Sequence, residues 1–230
     1  MDPAPPGLPT PLFEREAFRD VAGLALRPGG IALTEVALEH CFLAPGALVA
    51  DIGCGRGASL PLISERGLTP MGLDPSPQLL AEARRHDEKA ALVQATAEAV
   101  PFRGGSFTAV LCECVLSITR DPHAALAEMC RILAPGGLLV LTDLYLRDPV
   151  DNQAPRTAGC AAGAVPRDVV EERLHAAGFS VLVFEDHSRL LAELAGRLIF
   201  AGFDGSELGL GCTSCGRPGY FLCIAQTEAL

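Results

Sequence analysis

An acid followed by three glycines at alternate positions stands in Val49-Ala50-Asp51-Ile52-Gly53-Cys54-Gly55-Arg56-Gly57. Glycine at that spacing lets a chain turn sharply after a strand and bring its backbone against a ligand with no Cβ in the way. A helix opening beyond the turn presents unpaired N–H groups to an anionic or carboxylate-bearing ligand. A second acid, Asp74 in Gly72-Leu73-Asp74-Pro75, comes roughly 20 residues after Asp51, where a carboxylate at a neighbouring strand end can accept ribose hydroxyls. The alternative for Asp74 is a solvated turn carboxylate, since Asp-Pro is a common turn pair. Loop and acid together suit a dinucleotide or any other adenosine-bearing cofactor. The third glycine is spaced as G-x-G-x-G rather than G-x-G-x-x-G, which turns the expectation away from a dehydrogenase.

Other residues able to do chemistry fall at predicted strand ends. Glu113 is placed to deprotonate or orient a nucleophile, or else to serve as a cofactor-positioning or structural carboxylate. Asp143 ends a later strand at the edge where open α/β sheets hold ligands, with a cap or loop anchor as its plainer role. His187, after Asp186, is a possible base or a loop hydrogen-bonding group. Cys112 and Cys114 flank Glu113, Cys160 lies in Ala158-Gly159-Cys160-Ala161, and Cys212-Thr213-Ser214-Cys215 is a single C-x-x-C. Cys160, Cys212 and Cys215 can converge on a soft metal or metalloid, or they are small loop cysteines. Cys41, Cys130 and Cys223 sit in apolar stretches and are expected in the core.

The elements that must position these groups alternate from Ala47 onward. Strands are expected at Leu48–Asp51, Thr69–Leu73, Ala91–Gln94, Ser106–Cys112 and Leu138–Thr142, and helices at Ala58–Arg66, Ser76–His86 and Pro122–Leu133. Strand and helix in that rhythm mean βαβ units and a parallel, doubly wound α/β sheet. Before them, residues 1–11 are a Pro-rich tail, and residues 12–46 are a helical lid with helices at Leu12–Leu26 and Ile31–Phe42. Residues 47–143 form a cofactor-binding half and 144–165 a loop insertion. The C-terminal half, 166–230, carries helices at Arg167–Ala177 and Ser188–Phe200 and strands at Phe179–Phe184 and Tyr220–Ala225.

Composition narrows the partners. The chain has 230 residues, 49% hydrophobic and 20% charged, which suits one folded domain. Its net charge of −10 argues against a nucleic-acid partner. No apolar run reaches membrane-spanning length, and the first residues lack the charged start and apolar core of a signal peptide. Nine cysteines, an odd number, without a secreted framework lead to an expectation of reduced thiols in the cytoplasm.

Four segments resemble the class I S-adenosylmethionine-dependent methyltransferases, in the branch of quinone-biosynthesis C-methyltransferases. These are Val49–Gly57, Gly72-Leu73-Asp74, Ala97-Glu98-Ala99-Val100-Pro101-Phe102 with Ser106-Phe107, and Arg131-Ile132-Leu133-Ala134-Pro135-Gly136-Gly137-Leu138. The resemblance implies a Rossmann-like seven-stranded sheet with the last strand antiparallel and helices on both faces. It implies that Asp51, Gly53, Cys54 and Gly55 surround the cofactor's methionine end, and that Asp74 and Pro75 hold the ribose. Thr96, Ala97 and Glu98 would meet the adenine, and Cys112 and Glu113 would line the mouth beside the sulfonium. This chain has Thr96 where the family often has an acid for the adenine amino group, and Phe107-Thr108 where Phe-Asp is usual.

Leu26-Arg27-Pro28-Gly29-Gly30, Cys112–Ser117 and Glu185–Ser188 also resemble an uncharacterised methyltransferase group from anaerobic bacteria. Arg27 is expected either to close over the cofactor carboxylate or to end a helix at the surface. The expected activity is methylation of a small molecule, with S-adenosyl-L-homocysteine as product; the sequence leaves the oligomeric state open. The rival expectation is a thiol-based metal or metalloid binding protein, or a metalloid methyltransferase, on the same frame.

Overall fold

The computed structural model describes residues 12–148, 163–204 and 217–228. Seven strands form one sheet in the order β3-β2-β1-β4-β5-β7-β6. They are β1 Leu48–Ile52, β2 Thr69–Asp74, β3 Leu92–Gln94, β4 Phe107–Glu113, β5 Leu133–Leu146, β6 Phe179–Asp186 and β7 Pro218–Thr227. β7 runs antiparallel to both β5 and β6, and β1 through β5 pair in parallel. Order reverses between β1 and β4, the switch point where loops diverge and open a crevice at the carboxyl ends of the strands.

Among the described residues, seven α-helices accompany the sheet: α1 Glu16–Ala22, α2 Gly30–Glu39, α3 Leu60–Glu65, α4 Pro77–His86, α5 Pro122–Ile132, α6 Arg167–Ala176 and α7 Ser188–Phe200. Leu33, Ala37 and Leu38 of α2 and Ile63 of α3 pack on one face with Val49, Leu111 and Val140. Leu126 and Met129 of α5 and Val170 and Leu174 of α6 pack on the other with Ile52, Val110 and Leu139. Strands covered on both faces read as continuous apolar runs, which is why Leu138–Leu141 carries no alternation.

Two expectations change. The first predicted helix is a 3-10 turn at Leu12–Glu14 and a short α1, because the chain breaks at Gly23, where φ is +81°. α1 packs on α7 through Phe18, Ala22, Leu194 and Leu198, whereas α2 is part of the main core. The strand expected to stop at Thr142 continues to Leu146, because β7 pairs with it from Leu138↔Gln226 to Leu146↔Pro218 and Leu144, Tyr145 and Leu146 are buried. The expected insertion thus shortens at its start. The tail at 1–11 and the insertion's centre, 149–162, lie outside the described residues.

Arg131 explains much of its own segment. Its guanidinium donates to the Val100 carbonyl at 2.8 Å and the Phe102 carbonyl at 2.9 Å, and its Nε meets Glu128 at 2.6 Å. Glu128 in turn accepts the Val100 N–H at 2.9 Å. These bonds pin the strand-three exit to α5. Arg131→Ala is expected to speed amide exchange across residues 98–103 by about tenfold or more, since each lost charge-assisted bond is worth roughly 1.5–3 kcal/mol before solvent screening. Hydrogen exchange followed by mass spectrometry checks this, and unchanged exchange there refutes it.

Candidate functional site at the carboxyl edge of the sheet

The glycine loop leaves β1 at the switch point. Gly53 has φ +77°, and a Cβ on it would lie 2.3 Å from Cγ2 of Val115, so the turn tolerates no side chain. The Gly53 and Cys54 N–H groups donate to the Leu73 carbonyl at 2.7 and 3.0 Å, binding the loop to β2. Gly55, also left-handed, donates its N–H to Asp74 Oδ2 at 2.9 Å, and Ser76 N–H reaches Asp74 Oδ1 at 2.8 Å. Burial raises the Asp74 carboxyl, and these two N–H donors oppose it. A carboxylate has about four lone-pair sites, so Asp74 keeps capacity for two further donors such as ribose hydroxyls.

Asp51 is 4% exposed, and no described residue donates a hydrogen bond to its carboxylate. Burial, then repulsion from Glu113, pushes its carboxyl up to about 7; Arg27 works in the opposite direction and Asp74 adds to the rise. Cys54 is a buried thiol whose pKa is driven far up, chiefly by burial. Cys112 is fully buried and likewise held as a thiol. Cys114, next in the mouth, has φ +60°, a backbone conformation rare for a residue with a side chain.

Arg27 and Glu113 meet behind Asp51. Arg27 is 7% exposed and its Nη2 lies 2.8 Å from Glu113 Oε2. The same nitrogen donates to Thr34 Oγ1 at 2.5 Å and Ser59 Oγ at 2.9 Å. Those hydroxyls then donate to Glu113, Thr34 at 2.9 Å and Ser59 at 3.2 Å. Burial opposes the Arg27 charge, and the nearby Glu113, with Tyr220 and Asp51, more than offsets it. Arg27 Nε is buried without a hydrogen-bond partner, which suits a site for an additional acceptor such as a ligand carboxylate. Leu26, with φ +54°, lays its Cδ1 3.9 Å from where a Gly55 Cβ would be, so Leu26 and Arg27 cover the glycine loop. Of the two expectations for Arg27, the surface position is excluded by this burial.

The remaining predicted groups scatter. Ala97 is buried, while Glu98 accepts the Arg120 N–H at 2.9 Å and the Thr96 hydroxyl, tying the strand-three exit to the segment before α5. Pro75 offers its carbonyl to Gln94 Nε2 at 3.2 Å. Asp143 accepts Ser117 N–H at 2.8 Å, Ser117 Oγ at 2.5 Å and the Leu144 N–H at 2.7 Å, so it anchors the turn after β4. His187 pairs with Glu185 at 3.1 Å beside edge strand β6, four strands from β1 or about 19 Å at ~4.8 Å per strand. No group of three or more His, Cys, Asp or Glu suited to a metal occurs among the described residues, and Cys160, Cys212 and Cys215 lie outside them. Sequence reasoning missed Thr34, Ser59 and Tyr220. The one available signal was a hydroxyl, Thr34, beside Leu33 within the stripe of α2 that faces the core.

The raised Asp51 carboxyl fixes the sign of a stability effect. Between its ordinary 3.8 and about 7 the folded chain binds more protons than the unfolded chain, so this group's contribution falls as pH rises through that window. Above the window the folded chain carries a buried charge that Arg27 offsets only in part. Asp51→Asn is therefore predicted to stabilise the ligand-free protein at pH 8.5 by on the order of a few kcal/mol, seen as a higher Tm, and to do so far less at pH 5. Calorimetric melts of both proteins at the two pH values decide it; a variant no more stable at pH 8.5 refutes it.

Residues 50–141 match the family model of the methyltransferase domain, Methyltransf_11. An uncharacterized methyltransferase of Synechocystis sp. is 33% identical over 113 residues, 48% of this chain and 53% of the relative. The demethylmenaquinone methyltransferase of Renibacterium salmoninarum is 35% identical over 99 residues, 43% of this chain and 42% of the relative. The chain thus spans about half the length of the curated relatives it matches. Among solved structures, the [4+2]-cyclase SpnF superposes with a TM-score of 0.75 at 22% identity, covering 93% of each chain. Haemonchus contortus phosphoethanolamine N-methyltransferase 2, solved with phosphomonomethylethanolamine and S-adenosylhomocysteine, gives 0.74 at 21%, covering 92% of this chain and 56% of that one. At such identities the superpositions speak to the fold, which is the seven-stranded sheet with β7 reversed. No helix of the described residues is long and apolar enough to cross a membrane. The methyltransferase-domain match covers residues 50–141, and the sheet that carries them has the fold of these solved structures.

Proposed function

We propose that this chain transfers a methyl group from S-adenosylmethionine to a small molecule, releasing S-adenosylhomocysteine. The observation that carries the reading is the loop at the switch point: a glycine that admits no Cβ, joined through the Gly55 N–H to a strand-end acid with spare acceptor capacity. The Haemonchus enzyme of the same fold, solved with S-adenosylhomocysteine, supports it. In this reading Asp74 and Pro75 face the ribose and Thr96, Ala97 and Glu98 the adenine. Gly53, Cys54 and Gly55 lie along the methionine end, Asp51 offers its carboxylate to the amino group, and Arg27 Nε takes the carboxylate. Cys112 supports the β4 end from inside the core.

When bound, S-adenosylmethionine supplies an electrophilic methyl group on a positively charged sulfur. The chain's own part is to hold the partners in line and keep water out, which is most of what a direct displacement needs. Glu113 and Asp143 already accept several donors each, and His187 is paired at the far edge. We assign Glu113 to holding Arg27 and Asp143 to holding the 116–118 turn, with His187 a loop contact. The acidic chain and its covered glycine loop favour a small acceptor over a nucleic acid. The thiol-based metal reading has no described cluster behind it.

Isothermal titration with S-adenosylhomocysteine is predicted to show one saturable site per chain. No heat at millimolar ligand would falsify the reading. A cationic amino group arriving beside Asp51 favours the ionised carboxylate, so binding should release protons below about pH 7. Affinity is then expected to climb as pH rises toward 7 and level off above it. Titrations repeated in buffers of different ionisation enthalpy count the protons; a flat profile between pH 5.5 and 8 removes Asp51 from the amino-group role.

A further inference from the structure

Thr34 and Ser59 belong to no motif, yet each is essentially inaccessible and each touches both members of the buried ion pair. Thr34 Oγ1 accepts from Arg27 Nη2 at 2.5 Å and lies 2.9 and 3.2 Å from the two Glu113 oxygens. Ser59 Oγ accepts from the same nitrogen at 2.9 Å and lies 3.2 Å from Glu113 Oε2. A hydroxyl has one proton and two lone pairs, so both can accept from the guanidinium while donating to the carboxylate. The four groups come from four places in the fold: the segment before α2, α2 itself, the residue capping α3 after the glycine loop, and the end of β4.

That arrangement fixes what Arg27 can do. Nη2 is consumed by Glu113 and the two hydroxyls, and Nη1 donates to the Ala25 carbonyl at 3.1 Å. Nε alone is buried without a partner, on a side chain that, with Leu26, covers the glycine loop. A guanidinium is planar and rigid, so bonds to Nη1 and Nη2 set the direction of Nε. We propose that Thr34 and Ser59 are positioning residues: with Glu113 they hold Arg27 so that Nε meets the carboxylate at the methionine end of the cofactor. This rests on the cofactor reading above and adds to it that Glu113 works through Arg27 and not on the acceptor's proton.

The test is a ligand ratio. S-adenosylhomocysteine and 5′-methylthioadenosine share adenosine and thioether, and only the first has the amino-acid end. Kd values for both are measured with the wild type, Arg27→Met, Thr34→Val, Ser59→Ala and Glu113→Gln. Thr34→Val and Ser59→Ala are each expected to weaken S-adenosylhomocysteine about tenfold, as for a lost bond to a charged group, and to leave 5′-methylthioadenosine within about twofold. Binding of 5′-methylthioadenosine reports that the variant is folded. Equal weakening of both ligands means a structural role only and overturns the proposal, as does no change in either. A Glu113→Gln enzyme whose turnover loses an acidic limb in its pH profile while the ratio holds makes Glu113 a base, which also overturns it. If the wild type binds neither ligand, the cofactor reading itself falls; if it binds S-adenosylhomocysteine and the Arg27→Met ratio holds, only this inference does.

Discussion

Four carboxylates, on β2, β1, β4 and β5, line the carboxyl edge of the sheet, and all are buried: Asp74, Asp51, Glu113 and Asp143. Buried carboxylates need donors or a cation, and the local structure around each is the answer to that requirement. Asp74 takes two backbone N–H groups, and the glycine loop must bend toward β2 to supply one of them. Asp143 takes Ser117 twice, which folds the 116–118 turn over β5. Glu113 takes a guanidinium and two hydroxyls, which draws the segment before α2 down onto β4. Asp51 has no described donor. The one carboxylate of the four without a described donor thus lies where the glycine loop leaves β1, and in the proposed reading a cationic ligand group would complete the set.

Such an edge trades stability for binding. A charge held without partners disfavours the empty folded state, and a ligand that supplies the counter-charge regains that free energy on binding. The ion pair at Arg27 obeys a different logic. Burying both charges gains little over a well-packed apolar pair, but removing one member strands the other at roughly 3–5 kcal/mol. What the pair does here is tie the segment before α2 to the end of β4, with Leu26 over Gly55.

Much of the frame was legible because its signals are local. The alternation of apolar runs with Gly- and Pro-rich breaks gave the strands and helices from β1 to β5; at the start of α5 the Asp121 carboxylate accepts the His123 and Ala124 N–H groups. β5 was cut short at Asp143 because an acid after an apolar run resembles a strand end; only pairing with β7, about eighty residues away, keeps Leu144–Leu146 extended. The glycine loop and Asp74 were legible for the same local reason. Arg27 was left open between two roles, since nothing in its neighbours says that α2 will carry it inward. Thr34 and Ser59 carry no spacing signature at all, because their function is set by contacts across 79 and 54 residues of chain.

Arg56 shows the same limit from the other side. It sits inside the loop motif, and its Nε lies 2.8 Å from Glu82 of α4, which also holds Arg19 of α1. The two arginines keep the Glu82 carboxyl below its ordinary range against the cost of partial burial. Two carboxylates, Glu82 and Glu113, therefore each join the N-terminal segment to the glycine loop, one through Arg19 and Arg56 and the other through Arg27 and Ser59. A glycine-rich turn is intrinsically the least constrained part of a chain, and glycines supply only its permission to bend. What holds it in one shape is a set of side chains that any glycine pattern omits. The same fold houses a [4+2]-cyclase, so the frame alone does not select a reaction. In this chain these ionic ties fix the shape of the loop and of the segment that crosses it.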